Sequence, residues 1–264
     1  MYELQSLNPA FPISFGVHVL HHNSFFVPHW HENIEILHIL KGNGIFYLDA
    51  AEYNAKVGDT IIVNSNTLHK ITSTDDEIVY YCLIVSIKFL QQFGIDLSEI
   101  SLQNKIKDEN AKLILENLNL LDSEKNLCYT TEMCGDVLKL VSLLTRKYAL
   151  SASNEIENRK NNKTDIVKKT ISYMKKNYEK DITLADISSC LGFNKSYICR
   201  LFKEITGITI VKMLNSIRCK EAKRLIVTDR CNVSEAAQKC GFTNLSYFTK
   251  TYKSIMGHLP SQTK

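Results

Sequence analysis

Between Leu184 and Gly257 one pattern of residues is written twice. The first copy runs Leu184-Ala-Asp-Ile-Ser-Ser-Cys-Leu-Gly-Phe193, then Ser196-Tyr-Ile-Cys-Arg-Leu-Phe-Lys203, and closes at Gly207. The second runs Val233-Ser-Glu-Ala-Ala-Gln-Lys-Cys-Gly-Phe242, then Ser246-Tyr-Phe-Thr-Lys-Thr-Tyr-Lys253, and closes at Gly257. In both copies eight positions separate the first apolar residue from the turn glycine, and eleven separate the Ser-Tyr pair from the closing glycine. Only the turn differs, by one residue. This is the pattern of two short helices joined by a tight turn, a unit that lays its second helix in the major groove of DNA. Two such units in one chain imply one polypeptide reading two neighbouring groove segments.

Helix boundaries are marked in parallel. Thr183 and Asn232 stand as N-caps with Asp186 and Glu235 three residues on, close to a capping box, while Gly207 and Gly257 are placed to end the second helices. Tyr197, Ile198, Leu201, Phe202 and Ile205 recur at helical spacing and predict a buried stripe, matched by Tyr247, Phe248, Tyr252 and Ile255. The opposite faces carry Ser196, Cys199, Arg200 and Lys203, then Ser246, Thr249, Lys250 and Lys253. Arg bonds guanine bidentately, hydroxyls reach bases or phosphates, and Lys neutralises phosphate. The charge partition agrees. Residues 1–150 hold 11 Lys and Arg against 18 Asp and Glu, whereas residues 151–264 hold 21 against 10. Phosphate neutralisation accounts for such a basic half.

Thr209 to about Val227 reads as one connecting helix, long enough to hold both readers on one side of a duplex. With the Arg218-x-x-x-Ala222-x-x-Leu225-Ile226 stretch, the two Gly-Phe turns and the closing Tyr252-Lys253-x-x-x-Gly257-x-x-Pro260, residues from about 165 to 260 resemble the DNA-binding domain of the AraC/XylS family of transcriptional regulators. The resemblance implies base contacts from Ser196, Cys199 and Arg200, then Leu245, Ser246, Thr249 and Lys250. Asn194, Lys195 and Asn244 at the helix starts join the DNA-binding set with Lys203 and Lys253.

The N-terminal half has another character. From about Ile13 to Ser86, short β-branched and aromatic runs alternate with turns, among them Glu35–Leu40, Ile45–Leu48, Thr60–Val63 and Ile78–Val85. Helical periodicity follows around Leu113–Leu121 and Val137–Tyr148. His29-x-His31-x-x-x-Glu35, followed later by His69, is similar to the ligand motifs of the cupin barrel, with Asn64 and Asn66 standing where that family usually has proline and glycine. On an extended strand His29, His31 and Glu35 share a face and turn into one interior. His29, His31, Glu35 and His69 are therefore candidates for an effector site. As three imidazoles and a carboxylate they also suit a divalent metal such as Zn, Fe, Mn or Ni. A metal-free ligand pocket and purely structural histidines remain alternatives. His18, His21 and His22 are expected to face solvent or a strand edge.

The expected architecture is α+β with two domains. Residues 1–150 form a cupin-like β-barrel with following helices, 151–164 a polar linker, and 165–264 an all-α domain with two helix-turn-helix motifs joined by a long helix. Eight cysteines without a C-x-x-C pair read as reduced thiols, with Cys190 and Cys240 at buried positions. No basic segment leads an apolar run at the N-terminus, and no stretch is long enough to cross a bilayer, so a cytoplasmic protein is expected. The leading reading is a transcriptional regulator, not an enzyme, whose cupin domain senses a small molecule, with a sugar or related metabolite as the first expectation. Its partners would be promoter DNA, the effector, a second copy in a homodimer, and RNA polymerase if it activates. The competing readings are a metal-dependent cupin enzyme fused to a DNA-binding domain and a DNA-binding protein with no effector.

Overall fold

The computed structural model describes residues 11–22, 28–49, 51–97, 100–150, 162–228 and 231–263. Two compact units, Met1–Lys160 and Asn161–Lys264, divide the chain. Residues 151–161 of the expected linker lie outside the described residues.

In the first unit, strands β1 (Ile13–His21), β2 (Ile34–Lys41), β5 (Thr60–Val63), β7 (Glu77–Val85) and β8 (Lys105–Ile106) form a sheet of order β1-β7-β2-β5-β8. Strands β3 (Gly44–Leu48), β4 (Ala51–Ala55) and β6 (His69–Ser73) form a second, of order β4-β3-β6. Helix α1 (Ile87–Gln91) follows β7, and α2 (Glu109–Glu124) and α3 (Tyr129–Tyr148) close the unit.

The pleat sorts the side chains of the larger sheet. Leu37, Ile39, Ile61, Ile78 and Tyr80 pack with Phe46, Leu48 and Ile71 of the smaller sheet. Ile36, Ile62, Leu83 and Val85 point the other way, onto Leu115, Leu118, Val137, Leu140 and Leu144 of α2 and α3. The larger sheet is thus largely apolar on both faces, which is why β5 reads Thr-Ile-Ile-Val and β2 is buried on both faces from Ile34 to Ile39, with Glu35 and His38 among its apolar residues. Each fully buried Leu, Ile or Phe stabilises the unit by roughly 1.5–3 kcal/mol.

The strands do not close into the expected barrel. β2 breaks register with β7 between Ile39 and Lys41, and the chain then crosses to the second sheet through Gly42. Gly42 has φ 75° and lies so tightly on the Glu77 backbone that a side chain has no room. The result is two facing sheets with cupin-like strand order. Of the two departures from the cupin pattern, Asn64 joins the strand to a later segment: its Nδ2 donates to the Leu102 carbonyl, and its Oδ1 accepts from the Leu102 N–H, both at 2.8 Å. Asn66 adopts φ 59°, a conformation that Asn tolerates in place of glycine.

The second unit is helical throughout its described residues: α4 (Asn162–Asn177), α5 (Leu184–Leu191), α6 (Lys195–Thr206), α7 (Ile210–Thr228), α8 (Val233–Lys239), α9 (Leu245–Met256) and a 3-10 turn, Pro260–Gln262. Helix α4 opens at Asn162, before the expected domain start at 165, because polar residues are at home in a first turn. Both capping boxes are formed, Thr183 with Asp186 and Asn232 with Glu235. Arg218 of α7 is buried and donates through Nε to the Tyr178 carbonyl and through Nη2 to that of Lys180. Gly241 approaches the same segment at φ 76°, where a Cβ would fall 2.6 Å from the Tyr178 oxygen. At the closing segment, Tyr252 Oη and Thr263 Oγ1 share a 2.7 Å hydrogen bond beside buried Pro260. All eight cysteines are free. Cys240 is buried as expected, whereas Cys190 on the short α5 is exposed. Burial pushes the Cys219 and Cys240 thiols up to about 12, leaving them protonated apolar fillers.

Asp108 anchors α2 and ties it to α3. Its carboxylate accepts from the Asn110 and Ala111 N–H groups, from Lys147 Nζ at 3.0 Å and from Tyr148 Oη at 2.9 Å. Burial opposes its ionisation, but the Ala111 N–H, Lys147 and Tyr148 outweigh that and bring the group down to about 2. A carboxyl depressed on folding contributes stability above its unfolded pKa, and that contribution disappears as pH falls toward the folded value. Asp108→Ala is expected to cost about 1–2 kcal/mol at neutral pH. In urea unfolding, the gap between wild type and variant should shrink between about pH 4 and pH 2.

Candidate functional site

In the second unit, the two recognition helices present equivalent faces. Helix α6 buries Ile198, Leu201, Phe202 and Thr206, and α9 buries Phe248, Tyr252 and Met256. Turned outward are Lys195, Ser196, Arg200 and Lys203 on one, and Leu245, Ser246, Lys250 and Lys253 on the other. Cys199 and Thr249 stand half-buried at the margins of these faces. Asn194 and Asn244 are the N-caps, their side-chain oxygens accepting from the Ser196 and Tyr247 N–H groups at 2.8 Å. The Thr249 hydroxyl donates back to the Leu245 carbonyl, which leaves its lone pairs outward.

Four members of the expected apolar stripe differ from the expectation, Ile205 and Ile255 being half-buried. Tyr197 is half-buried beside exposed Phe193, and Tyr247 is 50% exposed. Tyr247 Oη accepts from Asn215 Nδ2 of α7 at 2.8 Å. Both copies spell Ser-Tyr, but periodicity does not show that a phenol has a polar partner.

In the first unit, His29, His31, Glu35 and His69 converge, with four ligand-type atoms all within 4.8 Å of one another. The strand-parity argument for this grouping does not hold, because β2 begins at Ile34 and a bend separates it from the histidines. His29 instead pairs by its backbone with His69, N to O at 3.1 and 2.8 Å, bringing the segment before β2 against the start of β6. The two rings lie 4.1 Å apart. Glu35 points between the sheets, the side occupied by Leu37 and Ile39, and its Oε2 lies 3.2 Å from His31 Nε2 and 3.0 Å from His69 Nε2. Cys82 Sγ donates to Oε1. Burial alone would raise the Glu35 carboxyl, but His31 and His69 hold it well below the ordinary value.

His18 also departs from expectation. It is half-buried, stacks on Tyr80 and sits on the inter-sheet side of β1, where burial lowers its pKa against the opposing charge of Glu35. Its register opposite Tyr80 sets that side, and only the pairing of β1 with β7 reveals it. His21 and His22 are exposed.

A family model described as an AraC-like ligand binding domain matches residues 11–155. Another, described as a helix-turn-helix domain, matches residues 187–264. The chain belongs to the AraC family of transcriptional regulators. This AraC-family chain is 24% identical over 253 residues to the uncharacterized HTH-type transcriptional regulator YdeC of Bacillus subtilis (strain 168), covering 90% of itself and 86% of that protein. It is 23% identical over 248 residues to the HTH-type transcriptional activator RhaR of Shigella dysenteriae serotype 1 (strain Sd197), covering 90% and 86%. Among solved structures, a single-residue variant of apo ToxT from Vibrio cholerae (strain SCE256) aligns with a TM-score of 0.50 at 20% identity, over 94% of this chain and 96% of that one. That likeness supports the same two-domain fold. The AraC-family assignment makes the first unit a ligand-binding domain and the second a DNA-binding domain. Among the described residues, no helix is long and apolar enough to cross a membrane.

Proposed function

We propose that this regulator senses its effector at His29, His31, Glu35 and His69, and reads promoter DNA through the outward faces of α6 and α9. The observation that carries the sensor half is the convergence of four chemically versatile side chains in an otherwise apolar sandwich. A few polar groups in an apolar, concave setting are what ligand sites are built from. On the reader side, Ser196, Cys199 and Arg200, with Leu245, Ser246, Thr249 and Lys250, contact base edges, while Lys195, Lys203 and Lys253 hold phosphate. Asn194 and Asn244 act through their caps, fixing the first turn of each helix against the backbone of the duplex. The working domains are 1–150 for sensing and dimerisation and 165–264 for DNA binding, joined by 151–164.

The sensor acts by binding and not by turnover, in the cytoplasm, where eight free thiols stay reduced. A homodimer is supported by Leu113 and Leu120, two exposed apolar residues seven positions apart on α2. Activation through RNA polymerase is the mode supported by the similarity to RhaR, an activator.

For the reader, Arg200→Ala should cost about 1–3 kcal/mol in DNA binding and relax preference at one base pair. Lys253→Ala should weaken all sequences alike and reduce the salt slope by about 1. Selection from random DNA pools, run on both variants, checks this, and an unchanged sequence preference in Arg200→Ala contradicts it. For the sensor, His69→Ala should abolish the transcriptional response in a reporter strain while DNA affinity stays near wild type. A normal response from a folded His69→Ala protein removes the cluster from sensing.

A further inference from the structure

The periodicity of α9 sets Tyr247 on the flank of its outward face. At about 100° per residue, Tyr247 lies about 60° round the helix from Lys250, on the side away from Ser246. Buried Phe248, Tyr252 and Met256 occupy the opposite face, and Tyr247 itself is 50% exposed. A helix in the major groove aims its central residues at base edges and its flanking residues at the groove walls, where the phosphates lie.

The Tyr247 side chain is held in place before any DNA arrives. Asn244 Oδ1 accepts from its backbone N–H at 2.8 Å, and the Phe242 ring lies 6.2 Å from its own. Asn215, buried on α7, donates through Nδ2 to its Oη at 2.8 Å. A phenol oxygen that accepts from an amide keeps its own hydrogen, and accepting strengthens the bond that this hydrogen can donate. Among the described residues no group accepts that hydrogen. The result is a fixed, half-exposed donor with one unused hydrogen, and fixing it in the free protein lowers the entropy cost of using it. The first copy differs. Tyr197 leans on Phe193, which is itself exposed, and its phenol has no hydrogen-bond partner among the described residues.

We infer that Tyr247 donates its phenol hydrogen to one phosphate of the groove segment read by α9, and that Asn215 is the positioning residue that aims it. This rests on the reading of α9 as a DNA reader and adds to it a contact made by an uncharged group. A lysine at a phosphate displaces a counterion and carries a salt dependence, whereas a phenol does neither. A bond to phosphate carries no base information, but it fixes the register of the helix on the duplex. Asn215 ties that register to the connecting helix, whose Arg218 is anchored on the Tyr178 and Lys180 carbonyls.

The test uses the full-length protein and DNA that it selects from a random pool. Hydroxyl-radical footprints of wild type and Lys250→Ala assign one protected patch to α9. Methylphosphonates then replace the phosphates of that patch one at a time. The expected result is that Tyr247→Phe binds about tenfold more weakly, with the same base preference and the same salt slope. One phosphate whose replacement weakens wild type should have no effect in Tyr247→Phe. Asn215→Ala should silence the same phosphate and add little further loss when combined with Tyr247→Phe. Asn215→Asp, whose carboxylate accepts the phenol hydrogen, should silence it too, so the positioning role does not rest on how one variant folds. Wild-type affinity in Tyr247→Phe overturns the inference. So does weaker binding with an unchanged phosphate scan, the result a purely structural tyrosine gives. A changed base preference in Tyr247→Phe overturns it in favour of base reading. Asn215 variants that keep the effect of that phosphate overturn the positioning role. If Lys250→Ala leaves every patch as in wild type, the reading of α9 fails and the inference fails with it.

Discussion

The buried guanidinium of Arg218 is the constraint on which the DNA-reading unit depends. A buried cation has to be satisfied, and here the carbonyls of Tyr178 and Lys180 receive it while the Phe242 ring lies 5.7 Å away. That one side chain fixes the connecting helix α7 to the segment before the first helix-turn-helix and to the turn of the second. Gly241 follows from the same crowding, because the carbonyls that hold Arg218 leave no room for a Cβ. The first copy has no such contact: Gly192 has open space, and Phe193 is exposed. The duplicated pattern therefore folds into two readers whose turns are unequally packed.

In the ligand-binding unit the corresponding constraint is Glu35, a carboxylate buried between two apolar sheets. Its position is tolerable only because His31, His69 and Cys82 converge on it. The pairing of His29 with His69 places the imidazoles there, and the turn supported by Asn64 and Asn66 delivers His69 to the start of its strand. Polar residues in these turns thus serve the cluster by shaping the backbone that carries it.

Legibility from sequence followed the range of the interaction. Caps, turns and strand cores depend on neighbours within a few residues, and Thr183, Asn232, Thr60–Val63 and the connecting helix were readable for that reason. The four-residue cluster was readable from residue type and spacing, although the strand-parity reasoning behind it was mistaken. What needed the structure was set by distant partners. The inward side of His18 depends on the register of β1 with β7, the exposure of Tyr247 on Asn215, and the open sandwich on the crossing at Gly42. Cys190 shows the limit of reading residue type without register: counted from the turn glycines it aligns with Lys239, exposed like itself, whereas buried Cys240 aligns with Leu191.

The central claim is that both copies read DNA, held by α7 at a fixed spacing. Helix α7 has 19 residues, which at 1.5 Å each spans about 28 Å, close to the roughly 34 Å between successive major-groove faces. Hydroxyl-radical footprinting of the full-length protein on its selected DNA tests this directly. The account predicts two protected patches per protomer on one face of the duplex, about one helical turn apart. A single patch per protomer, or two patches on opposite faces, would contradict it.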